Sequence, residues 1–263
     1  MTITSILDTT HATNVYGGVQ FYIVGEATAA TVSDPKFGQV VLTAKDILGN
    51  TRVPNGLIED SPIALEQLLS MLFGTALAWH EDMWFLNGTG GGQPLGVMNC
   101  PALIPVAAEG SQVAATIVSQ NIDKMWSRLL PQCQGRAVWL ANPTTIPQLM
   151  SMSRDVGTGG APVMMVNMAG TAPASMYNRP IIYTEHCQAL GTVGDIVLAD
   201  LTYYLIGDRQ AMSMEASAHE RFSTNETVFR FIERMDGKPW VTSAITPAHG
   251  DTLSPFVALA TRS

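Results

Sequence analysis

Five glycines crowd the eleven-residue run LNGTGGGQPLG, Leu86 to Gly96: Gly88, Gly90, Gly91, Gly92 and Gly96. Consecutive glycine amides can cradle an anion, and where they open a helix they form a phosphate loop. Here the run follows an amphipathic segment instead of opening one, no Gly-Lys-Ser/Thr succeeds it, and Pro94 interrupts any new helix. A structural turn is the expected role, built from Asn87, Gly88, Thr89, Gly90, Gln93, Pro94 and Gly96. His80-Glu81 has the form of half a zinc-protease helix, but Trp84 occupies the place of the second histidine. His186-Cys187 and His219-Glu220 are isolated pairs, better suited to partial burial than to ligation. Cys100, Cys133 and Cys187 are too far apart for a zinc knuckle and odd in number for a disulfide framework, so they read as reduced core or interface thiols. No Gly-x-Ser-x-Gly elbow is present. Met164, Met165 and Met168 read as adaptable packing. No catalytic, cofactor-binding or metal site is expected.

Apolar spacing predicts the elements that carry these residues. Ser61 and Pro62, a capping hydroxyl and a residue whose fixed φ suits a first helical turn, open a helix. Ile63, Leu65, Leu68, Leu69, Leu72, Phe73, Ala76, Leu77 and Met83 then recur at three- and four-residue spacing. One helix is predicted from Pro62 to Leu86, about 25 residues and roughly 37 Å, twice the usual globular length. Upstream, Gln20, Tyr22 and Val24 alternate with Phe21, Ile23 and Gly25, and Val40 to Ala44 resumes the pattern beyond Asp34 and Pro35. That is a long hairpin, too thin to bury both of its faces alone. Val118 to Leu130 reads as a helix stopped by Pro131, Arg136 to Ala141 as a buried strand, and Pro143 as the start of a short helix. Gly157, Gly159, Gly160 and Pro162 connect to Val163 to Met168 and to strand candidates Pro180 to Thr184 and Asp195 to Leu198. Thr227 to Arg234 and Trp240 to Ile245 flank Asp236-Gly237, a dipeptide suited to a tight hairpin turn, with Pro239 at an edge. Thr252 to Ala260 closes the chain as a strand.

A long helix ending in an LNGTGxGQPxG turn resembles the major capsid proteins of tailed phages, the Hong Kong ninety-seven type. Three further blocks carry the likeness in the same order. GEATAATVSDPKFGQVVLTA (Gly25 to Ala44) resembles that family's extended loop, and NGLIEDS (Asn55 to Ser61) resembles the approach to its spine helix. IGDR (Ile206 to Arg209) with FRFIERMDGKP (Phe229 to Pro239) resembles its last strands. The likeness spans Val15 to Pro247. It implies an α+β phage major capsid fold: a short N-terminal arm (1–15), an extended E-loop hairpin (16–50), a peripheral domain with a long spine helix (51–105), a mixed α/β axial domain (106–215) and a return to the peripheral domain (216–263). It also implies self-assembly through hexamers and pentamers into an icosahedral shell around double-stranded DNA, with the loop lying on a neighbouring subunit. Portal, scaffold and decoration proteins are the further implied partners. The groups expected at assembly contacts are Glu26, Asp34 and Lys36 on the loop, Glu66, Glu81 and Asp82 on the spine, and Arg230, Glu233 and Arg234 on the return strand. No enzymatic activity and no cofactor are implied.

Some relatives join subunits by a covalent lysine-to-asparagine link assisted by a glutamate. Aligned on Ser33-Asp34, this chain has Ala30 where the lysine belongs. Asn225 fits the asparagine, Ile232 falls at the glutamate with Glu233 adjacent, and Lys36 is the only nearby amine. No cross-link is expected. Family members usually carry a longer N-terminal arm, so the chain is expected to be a mature or shortened form that makes capsomers and closes shells only once an arm is restored.

Composition is compatible with this and with an ordinary hydrophobic domain. Charged residues make up 14% and hydrophobic residues 46%, against a usual charged quarter, which fits an exterior buried against other subunits. A net charge of −8, from 14 basic and 22 acidic residues, argues against a grip on nucleic-acid phosphates, so packaged DNA is touched only weakly. Assembly is expected to speed up as ionic strength rises. Neither a secretory signal nor 18 uninterrupted apolar residues occurs, so no membrane partner is expected and assembly is assigned to the bacterial host cytoplasm, with the virion capsid as destination. The alternatives are an encapsulin-type nanocompartment shell, which shares the fold, and, more remotely, a soluble α/β enzyme.

Overall fold

The structure, a computed structural model, describes residues 1–12, 15–26, 28–29, 31–61, 64–154, 161–162, 164–165 and 174–262. Its elements begin with β1 (Thr2–Ile6), β2 (Phe37–Val41), β3 (Lys45–Pro54), α1 (Asn55–Asp60) and α2 (Leu65–Asn87). They continue with β4 (Ile104–Val106), α3 (Ser119–Ser127), β5 (Val138–Ala141), α4 (Ile146–Ser151), β6 (Ser153–Arg154), β7 (Ala161–Pro162), β8 (Met164–Met165) and β9 (Ser175–Met176). The last are β10 (Arg179–Tyr183), β11 (Ile196–Ala199), β12 (Tyr204–Arg221), β13 (Glu226–Pro239) and β14 (Phe256–Leu259). They divide into a first unit of Met1, 41–96 and 205–238, and a second of 2–40, 97–204 and 239–263.

The first unit is a helix on a sheet. β12, β13 and β3 form the sheet in that order, and β13 runs antiparallel to β3 from Glu226 opposite Pro54 to Met235 opposite Lys45. Alternation along β13 turns Phe229 and Phe231 to one face, where they are buried with Val53 against Leu65, Leu69, Phe73 and Met212. Leu65, Leu69 and Phe73 are spaced by four, so one stripe of α2 meets that face. The Phe73 and Phe231 rings stack with centroids 3.9 Å apart. Gly49 makes room for them, since a Cβ there would lie 2.8 Å from the Phe73 ring.

Two expectations are corrected in this unit. The long helix starts at Leu65, and Ser61 is the C-cap of α1, its N–H bonded to the Leu57 carbonyl; Pro62 and Ile63 lie outside the described residues. The extended conformation of Ser61 that suits an N-cap suits this end equally well. Asp236-Gly237 is no turn: it lies inside the continuous strand β13. The hairpin instead reverses at 222–225, where Asn225 takes a left-handed conformation with φ 53°, and Trp240 to Ile245 forms no strand.

The second unit is built on a seven-stranded mixed sheet in the order β4-β14-β11-β5-β10-β9-β8. β11, β14 and the buried positions of β5 carry the core, with Trp139, Ile122, Met125 and Leu129 fully enclosed. Trp139 donates its indole N–H to the Met176 carbonyl at 3.0 Å. The helix, strand and short helix expected from 118 to 151 appear as α3, β5 and α4, and Thr252 to Ala260 contains β14. Gly157, Gly159, Gly160 and Met168 lie outside the described residues.

The extended loop is corrected in detail. Residues 20–25 form no strand, and β2 pairs instead with β1. Alternation gives Gln20 to Val24 the pattern of a strand, but the face of Phe21 and Ile23 is left uncovered. The loop closes through a few bonds at its base: Lys36 N–H to the Gly17 carbonyl at 2.7 Å, Leu7 N–H to the Lys36 carbonyl at 3.1 Å, and Gln20 N–H to the Ser33 hydroxyl at 3.3 Å. The boundaries of the two units also differ from the 215/216 division read from the sequence. β12 is one unbroken 18-residue strand, so the chain re-enters the first unit at Leu205, and β14 returns residues 239–263 to the second.

Candidate assembly site

The loop presents apolar side chains to solvent. Phe21 and Ile23 are essentially fully exposed, and Val32 is 82% and Phe37 63% exposed. Glu26, Asp34 and Lys36 are exposed among them. Large apolar side chains exposed to this degree within one segment are uncommon on a lone chain.

On the first unit the charges named from sequence fall into three arrangements. Glu66 is exposed in the first turn of α2, where a carboxylate suits the helix dipole, and Asp82 is exposed further along. Arg230 and Arg234 are engaged within the chain, to Glu215 at 2.5 Å and to Asp46 at 2.6 Å. Glu81 and Glu233 are brought together, a carboxyl pair in the seam between helix and sheet.

The pairing follows from two periodicities. Glu233 shares the face of β13 that carries Phe229 and Phe231 and is only 9% exposed. Glu81 lies four residues beyond Leu77 and eight beyond Phe73, on the stripe that meets this face. Burial pushes the Glu233 carboxyl from 4.5 up to about 7, and the charges of Glu81 and Asp208 add to the shift. Burial also raises Glu81, with repulsion from Asp82 and Asp208, while a hydrogen bond from Glu233 partly offsets it. Glu233 Oε2 is enclosed and has no hydrogen-bond partner. Glu233 borders an open apolar groove of about 290 Å³ lined by Ile47, Leu48, Phe73, Leu77, His80, Trp84, Phe231 and Ile232. Asp208, Asp46 and Glu215 escaped the reading of the sequence; even-numbered spacing from Met212 along β12 is the signal that places Asp208 on the helix side.

The glycine run closes on itself. Gly88 caps α2 with its N–H on the Trp84 carbonyl at 2.8 Å, and Gly96 N–H returns to the Gly88 carbonyl at 2.8 Å. A Cβ on Gly88 would lie 2.2 Å from the Pro94 oxygen, and one on Gly96 2.5 Å from the Gly88 nitrogen. Gly90 and Gly92 take φ of 81° and 82°, which glycine alone adopts without cost. Gln93 donates to the Thr89 hydroxyl at 2.9 Å, and the Gln93 carbonyl accepts from the Lys45 ammonium. Nearby, Asp236 is buried because it is fully used: Lys45 at 3.2 Å, Thr43 N–H at 2.8 Å and Gly237 N–H at 3.0 Å.

The three cysteines are free and buried, and burial pushes the Cys133 and Cys187 thiols up to about 12. Among the described residues no cluster of His, Cys, Asp or Glu could hold a metal ion, and no helix is long and apolar enough to cross a membrane. Asn225 accepts a hydrogen bond from the Asn55 side chain at 2.8 Å, and Ala30 lies outside the described residues.

Comparison with known proteins adds three findings. The profile of the Phage capsid family matches residues 4–250. The major capsid protein of Klebsiella oxytoca phage phiKO2 is 30% identical over 140 residues, 53% of this chain and 28% of that protein, so the matched stretch spans little more than a quarter of the curated relative. Among solved structures, the capsid of a native GTA particle superposes with a TM-score of 0.73 at 14% identity, over 100% of this chain and 85% of the other. A holo-SrpI encapsulin complex from Synechococcus elongatus PCC 7942 gives 0.58 at 12% identity, over 97% and 85%.

Proposed function

The chain belongs to the phage capsid family, and from that premise we propose that it is a major capsid protein of the Hong Kong ninety-seven type from a tailed double-stranded-DNA phage or prophage. Copies join as hexamers and pentamers into an icosahedral shell that encloses the genome. The observation that carries the assembly reading is the loop that bears Phe21, Ile23 and Val32: these side chains are exposed in the single chain, and an adjoining subunit is the surface that covers them. Glu26, Asp34 and Lys36 rim that contact, and Glu66 and Asp82 are the free charges of the spine. Arg230 and Arg234 act mainly within their own chain, because each already holds a carboxylate.

Function in this reading is geometric, without catalysis or cofactor. The net charge of −8 leaves packaged DNA weakly held, so portal and scaffold proteins organise packaging and decoration proteins act outside. With Asn225 bonded to Asn55 and no lysine at position 30, subunits stay unlinked covalently. An encapsulin shell is the second reading, favoured by the shared fold; nucleic acid rather than protein cargo inside particles from infected or induced cells decides between them.

The test is a triple variant, Phe21→Ser, Ile23→Ser and Val32→Ser. Wild-type protein is expected to sediment as capsomers or particles, and any particles to run as a single band on a denaturing gel. The variant is expected to keep its circular-dichroism spectrum and melting temperature while particle yield falls at least roughly tenfold. Unchanged particle yield would refute the loop contact, and a wild-type chain that stays a small oligomer under every assembly condition would refute the shell.

A further inference from the structure

We propose that Glu81 and Glu233 share one proton at neutral pH, and that this proton latches α2 to the three-stranded sheet. Glu233 occupies a site on β13 between Phe231 and Met235, both buried, where the helix-facing side of the sheet calls for an apolar residue. Its partner reaches down from the matching stripe of α2. Two ionised carboxylates cannot occupy such a seam together, whereas a carboxylic acid donating to a carboxylate satisfies both.

The surroundings offer no substitute for the proton. Around the pair, α2 contributes Asp82, exposed, and His80, whose Nδ1 bonds the Ala76 carbonyl at 2.7 Å. β12 contributes Asp208, a further negative charge. From β3, Ile47 lies directly opposite Glu233, and the diagonal neighbour Lys45 is held by Asp236 at 3.2 Å. On β13 itself, Arg234 is on the other face and bonded to Asp46. A divalent ion is not the answer either, since no three ligating side chains in the described residues converge. Glu233 Oε2, buried without a partner, marks the group that loses most on ionisation, in keeping with its titration at about 7.

The sign of the consequence is fixed by linkage. A carboxyl raised from 4.5 to about 7 on folding keeps its proton in the closed seam and releases it in the open one, so closure weakens as pH rises through that window and levels off above it. The latch is a property of the first unit and does not depend on the chain being a capsid protein.

Hydrogen exchange of the full-length protein tests it. After correction for intrinsic rates, protection of the α2 amides around Glu81 is expected to fall by up to roughly tenfold per pH unit between about 5 and 7, then to level off. Glu233→Gln, which keeps a donor for Glu81 but cannot ionise, is expected to change less than about threefold across the same range. A flat wild-type profile, or a Glu233→Gln profile parallel to it, would overturn the latch. If the variant does not fold, infrared titration of the wild type decides: a protonated-carboxyl band that disappears with a midpoint near 7 supports the shared proton, and absence of such a band at pH 6 refutes it. Particle formation is not a readout here, so this test and that of the shell fail independently.

Discussion

At the level of single residues, the first unit holds its acidic pair by a proton, and the second holds a buried charge by an ion pair. Arg262 and Asp195 bond to each other with both side chains fully buried. Arg262 also donates to the Thr116 and Ala260 carbonyls at 2.7 and 2.8 Å, while Asp195 accepts the Gly191 and Ile196 N–H groups at 2.9 Å each. Truncating one partner leaves the other charge uncompensated in the interior. Arg262→Ala is therefore expected to cost about 3–5 kcal/mol in urea unfolding, and Arg262→Met combined with Asp195→Asn to recover a good part of it; a loss under about 1 kcal/mol for the single variant would show that water replaces the guanidinium. Such roles were hidden in the sequence because charged residues read by default as solvated surface. Glu81 and Glu233 were singled out as contact charges, and only their phase against Phe73 and Phe231 reveals that they face inward. The Asp-Gly context of Asp236 points to a turn. Besides the adjacent Gly237 N–H, the ion pair and the amide that make Asp236 a buried strand residue come from Lys45 and Thr43, nearly two hundred positions away in the chain.

At the level of elements, local pattern succeeded where one segment buries one face and failed where it needs a partner. α2 was legible because three- and four-residue spacing over twenty positions has no competing explanation, and β5, β11 and β14 because continuous apolar runs belong in a sheet centre. The start of α2 was misplaced because Ser61 in an extended conformation serves the end of α1. Gln20 to Val24 was read as a strand from alternation alone, yet a strand is defined by its neighbour, and here β1 takes the place beside β2. The β12–β13 reversal was missed for want of glycine; Asn225 supplies the left-handed residue instead, secured by Asn55. Asn225→Val is expected to destabilise by about 1–2 kcal/mol because a branched Cβ resists that conformation, whereas Asn225→Gly is expected to stay within about 1 kcal/mol of the wild type, losing only the side-chain bond. Equal melting temperatures for the two variants would show that backbone handedness does not govern this turn.

At the level of the whole molecule, the distribution of charge decides how copies meet. Among the described residues half of the 14 cations are engaged within the chain: Lys45, Lys124, Arg128, Arg136, Arg230, Arg234 and Arg262 each sit in an ion pair. Glu26, Asp34, Glu66 and Asp82 stay exposed, and with a net charge of −8 two copies of the chain repel each other at long range. Attraction must then come from apolar surface such as Phe21, Ile23 and Val32, working against long-range repulsion between like-charged subunits. Salt screens the second far more than the first, because the Debye length shortens to about 8 Å at physiological ionic strength while burial of apolar area is unaffected or strengthened. Shell formation followed by light scattering is accordingly expected to accelerate several-fold as sodium chloride rises from about 50 to 300 mM, and the triple serine variant of the loop to show no such gain. A rate that stays flat or falls with salt would mean that complementary ion pairs between subunits, not apolar contact, draw the copies together, and Lys36 would become the first cation to examine.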